Sequence, residues 1–96
     1  MKENIIKKHK KESEIFKALG HPTRLFIVHQ LGKENTCVCD LTEMIGDDIS
    51  TVSKHLSVLK AAKIVESVKI GNKIVYKLKL KCVLSIALCI KRDKGE

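Results

Sequence analysis

Ile49-Ser50-Thr51-Val52-Ser53-Lys54-His55-Leu56-Ser57-Val58-Leu59 carries two faces. Ile49, Val52, Leu56 and Leu59 recur at three- and four-residue steps, the period of a helix that buries one side. Ser50, Thr51, Ser53, Lys54 and Ser57 fall on the other side. Short hydroxyls let a helix sit deep in a major groove and bond to phosphates or base edges, and Lys54 can reach a phosphate or a guanine. Polarity alone fits the solvated face of any amphipathic helix equally well, so the flanking segments decide. Asp48 or Ser50 supplies the cap that starts this helix.

Upstream, Val38, Leu41 and Ile45 predict a shorter helix capped by Thr36 and ended by Gly46. The two helices and the turn between them, about 37–62, read as a helix-turn-helix. Further back, a first helix is expected from about Asn4 to Leu19, with Gly20 ending it. Pro22 suits the first position of a second helix, whose Leu25, Phe26, Ile27, Val28 and Leu31 are apolar and which Gly32 stops. Downstream the period changes to two. Gly71-Asn72 separates Val68-Lys69-Ile70 from Ile74-Val75-Tyr76, which reads as a hairpin with a tight turn, a wing over about 64–80. Lys69, Asn72 and Lys73 cluster at its tip, where they can track a DNA backbone. A last apolar helix covers about 81–92. The expected fold is mainly α with a small β-hairpin. Its order, helix-helix-helix-helix-hairpin-helix, is a winged helix-turn-helix in one domain over residues 1–96.

A chain of 96 residues buries only about 60–65% of its unfolded surface, so it gains from a partner subunit. Aromatic residues are scarce (two Phe and one Tyr), which leaves the core to Ile, Leu and Val. The net charge of +8 suits a polyanion such as double-stranded DNA, though it also serves plain solubility. No basic amphipathic helix points to a membrane surface. Met1 to Lys11 is basic with no apolar run behind it, and the apolar run from Cys82 to Ile90 is far too short for a span, so a cytoplasmic protein is expected. In that compartment thiols stay reduced, and metal binding or redox sensing outranks a structural disulfide. Without a Cys-x-x-Cys or a nucleophile–base pairing, an enzyme is not expected.

Cys37-Val38-Cys39-Asp40-Leu41 stands at the head of the third helix. The helix dipole and free N–H groups there favour a thiolate modestly. Residues two apart in a helix point about 200° from each other. Both thiols can hold one ion only if the first turn unwinds or never forms, so capture would distort the helix that supports the DNA-reading segment. Soft thiolates select trivalent arsenic or antimony, with cadmium, lead, zinc or mercury as other options. Two small buried core thiols are the plainer alternative; disulfide formation under oxidants or reactive sulfur is a further one. Cys82 and Cys89 share one helix face about 10 Å apart, too far for one ion or disulfide. An antiparallel pairing of last helices about an axis near Ser85 and Ile86 would set Cys82 of one subunit opposite the partner's Cys89. There they can bind metal, form disulfides or simply pack. His9 and His29 have no partner at ligand spacing.

Ala18-Leu19-Gly20-His21-Pro22-Thr23-Arg24-Leu25, Cys37-Val38-Cys39-Asp40-Leu41 and Ser50-Thr51-Val52-Ser53-Lys54-His55-Leu56 together resemble the ArsR/SmtB family of arsenic- and metal-responsive repressors, over roughly residues 13–80. The resemblance implies a homodimer, joined through the first and last helices, that needs no cofactor to bind operator DNA and leaves it when an inducer binds. It implies that Cys37 and Cys39 are the main ligands, and that His55 contacts DNA or buttresses its helix. Three positions depart from the pattern. His21 replaces an acidic or amide residue, Lys63 replaces a glycine, and Thr42 stands where three-cysteine arsenic repressors carry another thiol. The last helix lacks the Asp and His of the family's zinc site there.

Overall fold

In the computed structural model, residues 2–95 are described. Helix α1 spans Glu3–Leu19, α2 Pro22–Lys33, α3 Val38–Ile45, α4 Ile49–Ala61 and α5 Cys82–Asp93. Strand β1 is Thr36–Cys37, β2 Val65–Ile70 and β3 Lys73–Leu78. The antiparallel sheet has the order β1-β3-β2. This is the expected winged helix-turn-helix, with α3 and α4 as the helix-turn-helix and β2–β3 as the wing.

Ile27 and Val28 of α2, Leu41 of α3, Val52, Leu56 and Leu59 of α4, and Ile64 before the wing close the aliphatic core. At about 2 kcal/mol for each fully buried aliphatic side chain, this cluster is what holds α4 against the body. Ile49 departs from expectation: it is 58% exposed rather than on the inner face. It is the first residue of α4 and projects beyond the core. Phe26 also stays exposed on α2.

Local chemistry explains the element ends. The Asp48 carboxylate accepts from Thr51 N–H at 2.8 Å and caps α4. The His21 Nδ1 accepts from Thr23 N–H at 3.1 Å and caps α2. The imidazole thereby does the work of the acid or amide that the family pattern has there. Gly46, with φ 79°, closes α3 in the left-handed conformation. Residue 63 requires the same conformation after α4. Lys63 N–H bonds to Lys60 C=O and Ile64 N–H to Leu59 C=O, the paired bonds of a Schellman motif, and Lys63 adopts φ 62°.

Two expectations are corrected. Gly32 does not stop α2, which runs on to Lys33; a side chain at 32 would strike Leu84 of α5, so glycine serves close packing. Thr36 does not cap α3. It lies in β1 opposite Tyr76, buried, its hydroxyl donating to Glu34 C=O and accepting from Gln30 Nε2. At the wing tip Gly71 has a positive φ and Asn72 does not, which fits a turn with Gly at its first central position.

Candidate nucleic-acid interface and thiol site

On α4 the side chains of Ser50, Ser53, Lys54 and Ser57 are exposed at helical steps, with Thr51 and His55 partly buried beside them. Lys69, Asn72 and Lys73 are exposed at the wing tip. The register pairs Ile70 with Lys73 and Lys69 with Ile74, so the two lysines leave opposite faces of the hairpin. Lys60 donates to the Ser67 hydroxyl at 2.8 Å and ties the end of α4 to β2. The helix and the wing are thus held in one frame.

His55 turns inward. Its Nδ1 lies 3.2 Å from Arg24 Nη1, and its ring is 4.4 Å from that of His21. Arg24 Nε donates to Ala18 C=O at the end of α1. Burial, then His21 and Arg24, hold the His55 pKa below the ordinary histidine range, against an upward pull from Asp47. The sequence reading missed Arg24. One of only two arginines in a lysine-rich chain was the available signal, because guanidinium suits fixed, multi-donor geometry better than ammonium.

At the other end of the helix-turn-helix, Cys37 and Cys39 have Sγ atoms 2.6 Å apart. The expected clash with helix geometry does not arise. Cys37 is the extended residue that caps α3, with φ −77° and ψ 158°, and its sulfur accepts from Asp40 N–H at 3.3 Å. Only Cys39 is in the helix, so no turn has to unwind before the two sulfurs converge. Ligating atoms of Cys37, Cys39 and Asp40 all lie within 4.8 Å of one another, the one such group of three among the described residues. Cys37 is buried and Cys39 exposed. The neighbouring Cys39 thiol pushes the Cys37 pKa up; Asp40 N–H opposes this without reversing it. For Cys37 this runs against the modest thiolate preference read from the helix dipole. Thr42 gives its hydroxyl to Val38 C=O at 2.7 Å and offers no third soft donor.

Cys82 and Cys89 are both exposed on α5, in one stripe with Ser85 and Ile86. They lie apart from the Cys37–Cys39 group. His9 pairs with Glu12 at 2.9 Å on α1, as a surface residue does. Burial holds the His29 pKa down, helped by Lys91 and Lys33.

A helix-turn-helix with an exposed reading face and a basic wing defines a DNA-binding transcriptional regulator. The model of the bacterial regulatory protein arsR family matches residues 21–67. The chain is 36% identical over 100 residues to the arsenical resistance operon repressor of Bacillus subtilis, across 99% of this chain and 92% of that protein. It is 42% identical over 68 residues to the HTH-type transcriptional regulator MJ1325 of Methanocaldococcus jannaschii, across 70% of this chain and 76% of that one. Some relatives are longer: the match spans 57% of the cadmium resistance regulatory protein CadC of Listeria innocua and 70% of this chain, at 41% identity. The chain belongs to the arsR family. Among solved structures, NolR from Sinorhizobium fredii superposes with a TM-score of 0.88 at 25% identity, over 99% of this chain and 95% of that one. A homodimeric winged helix-turn-helix DNA-binding domain from Mycobacterium bovis shares the fold, with a TM-score of 0.84 at 21% identity, over 100% of this chain and 89% of that one.

Proposed function

We propose that this chain is a homodimeric repressor that binds double-stranded operator DNA through Ser50, Thr51, Ser53, Lys54, His55 and Ser57 of α4 and Lys69, Asn72 and Lys73 of the wing. It leaves the DNA when a thiophilic metalloid binds Cys37 and Cys39. The observation that carries this reading is the 2.6 Å approach of the two sulfurs at the foot of the helix-turn-helix. The names of the arsenical and cadmium resistance relatives agree with it.

Thiols are mostly protonated at neutral pH, which suits trivalent arsenic or antimony better than divalent metals. A divalent ion such as cadmium, lead, zinc or mercury must displace protons from both thiols. Arsenous acid need not: As(OH)3 and two thiols condense to a dithiolate that keeps one hydroxyl, and two waters leave. Protonated sulfurs enter that reaction directly. A third sulfur from an exogenous thiol, or from Cys82 or Cys89, would replace the last hydroxyl with loss of one more water.

The route to the DNA is short. Ligation fixes the distance and angle between the two sulfurs. Cys39 lies in the first turn of α3, which packs on α4; Cys37 pairs with Val75, which pairs with Val68 of the wing. Fixing the pair therefore constrains the reading helix and the wing together. Cys82 and Cys89, brought opposite each other across the dimer, are a second thiol pair able to take the same ligands.

The contact between a buried and an exposed thiol also favours a second reading, release by disulfide formation under oxidants or reactive sulfur. The deciding measurement is operator binding under full reduction with graded arsenite. Arsenite should displace wild type and fail on Cys37→Ser and Cys39→Ser variants. Release by peroxide alone would support the second reading. Full arsenite response in both serine variants would remove the site from this pair of residues.

A further inference from the structure

His21, Arg24 and His55 form a cluster whose hydrogen-bond logic is one-sided. Backbone N–H can only donate, so the His21 Nδ1 that receives Thr23 N–H is an acceptor. Guanidinium can only donate, so the His55 Nδ1 beside Arg24 Nη1 is an acceptor too. In their neutral forms both rings must then carry the proton on Nε2. That excludes Nε2 of either ring as a metal ligand while these bonds stand. It makes each ring a fixed N–H donor. The two rings lie 4.4 Å apart, tilted by 43°. Beside His55, Arg24 keeps a permanent positive charge. Its Nε is spent on Ala18 C=O and one Nη1 hydrogen on His55; other Nη donors remain. No ion pair among the described residues includes Arg24. A half-buried cation without a carboxylate partner, in a cluster that also holds two imidazole N–H donors, is a place for an oxyanion.

Resting on the DNA-binding reading above, we infer that His21, Arg24 and His55 together hold a backbone phosphate of the operator, at a contact separate from the groove face of α4 and from the wing. His55 belongs to α4 beside Lys54, so a strand engaged by the exposed face of that helix runs past this cluster. Arg24 also acts as a positioning residue: its bond fixes the His55 tautomer and fastens α4 to the end of α1. The groups acting on His55 are His21 and Arg24 from the α2 corner and Asp47 from the turn before α4. Protonation would put a second donor on His55 Nδ1 facing Arg24 Nη1, so the intact contact needs His55 neutral. DNA held by the intact cluster therefore favours neutral His55, and affinity falls as pH drops through the histidine range.

The test is a set of DNA-binding titrations with operator and random duplex, from pH 5.5 to 8 and from 50 to 200 mM salt, with thermal unfolding of each variant alongside. Arg24→Gln should lose about ten- to a hundredfold in affinity for both duplexes, because a phosphate contact carries no sequence information. Its salt slope should drop by about two per dimer, one phosphate per subunit, and Arg24→Lys should restore the slope. His55→Asn keeps an acceptor for Arg24 but loses the Nε2–H; it should bind weakly and without the fall at low pH. His55→Gln keeps a donor near the Nε2 position and should bind better than the Asn variant. Wild-type salt slope and pH profile in folded His55→Asn and Arg24→Lys, with slope also unchanged in Arg24→Gln, would overturn the inference and leave a purely structural cluster. Inorganic phosphate is titrated separately while the histidine ring resonances are followed. Ring shifts with phosphate but variant-independent DNA binding would make this a small-anion site and likewise overturn it. If wild type binds neither duplex, the DNA-binding reading itself fails.

Discussion

At residue 63 the backbone conflicts with the side chain it carries. The Schellman bonds after α4 demand a left-handed residue, and Lys63 takes φ 62° where glycine would sit without strain. A left-handed non-glycine residue costs about 1–2 kcal/mol. Lys63→Gly should therefore raise unfolding stability by about 1 kcal/mol, read from the midpoint of chemical denaturation at unchanged slope. The loss of one positive charge near the wing should change operator affinity far less than loss of Lys54. His29 sets a second expectation. Burial, Lys91 and Lys33 keep its folded pKa below 6.5. The unfolded chain takes the proton first, so stability is intact above that pH and falls as the pH drops through it. His29→Gln should flatten the acid side of the stability curve below about pH 6.5; His55 shifts in the same sense, so some slope remains. An unchanged curve would show that His29 titrates normally. At this scale the sequence spoke clearly at Gly46, a left-handed helix end, and narrowed the α4 cap to Asp48 or Ser50, of which Asp48 takes the role. It misled at Cys37. A cap position and a first-turn position are one residue apart, and the difference decides whether two sulfurs diverge or meet.

Elements whose signal is periodic were legible; those made by pairing were not. Helices α1 to α5 and the hairpin follow from runs of apolar residues at steps of three, four or two. Strand β1 has only Thr36 and Cys37 and exists because β3 offers it a partner. Nothing in two residues announces that. Gly32 misread for the same reason: glycine at a helix end and glycine under a crossing helix look alike until Leu84 is in place. The wing supplies the prediction at this scale. Lys69 and Lys73 lie on opposite faces of the hairpin tip, and phosphate contacts from both require the tip to straddle a backbone or enter a groove. Lys69→Ala and Lys73→Ala should each weaken operator and random duplex alike and lower the salt slope by about two per dimer. Arsenite response of the bound fraction should stay intact, because Cys37 and Cys39 are untouched. If only one lysine alters the slope, the wing lies flat against the backbone on that face.

The whole molecule leaves apolar surface that one copy cannot cover. Ile5, Ile6 and Phe16 of α1 and Ile86, Leu88 and Ile90 of α5 are all between 38% and 60% exposed. We propose that this surface on the two terminal helices is the dimer interface rather than scattered exposure. On α5 the exposed stripe is Cys82, Ser85, Ile86 and Cys89, nearly symmetric about its middle. If that middle is the two-fold axis, Ile86 meets its own copy. An aspartate there would bury two like charges at van der Waals distance, so Ile86→Asp should sediment as a monomer and bind DNA with about half the wild-type salt slope. The same axis makes a sharper demand. It pairs Cys82 with the partner's Cys89, twice, and pairs no cysteine with its own copy. Mild oxidation should give a covalent dimer in wild type and in Cys37→Ser or Cys39→Ser. Cys82→Ser and Cys89→Ser should each abolish it, since every bridge needs one of each. A covalent dimer persisting in Cys82→Ser would need Cys89 to face its own copy, which moves the axis one helical turn toward Ile90 and releases Ile86 from the centre of the interface.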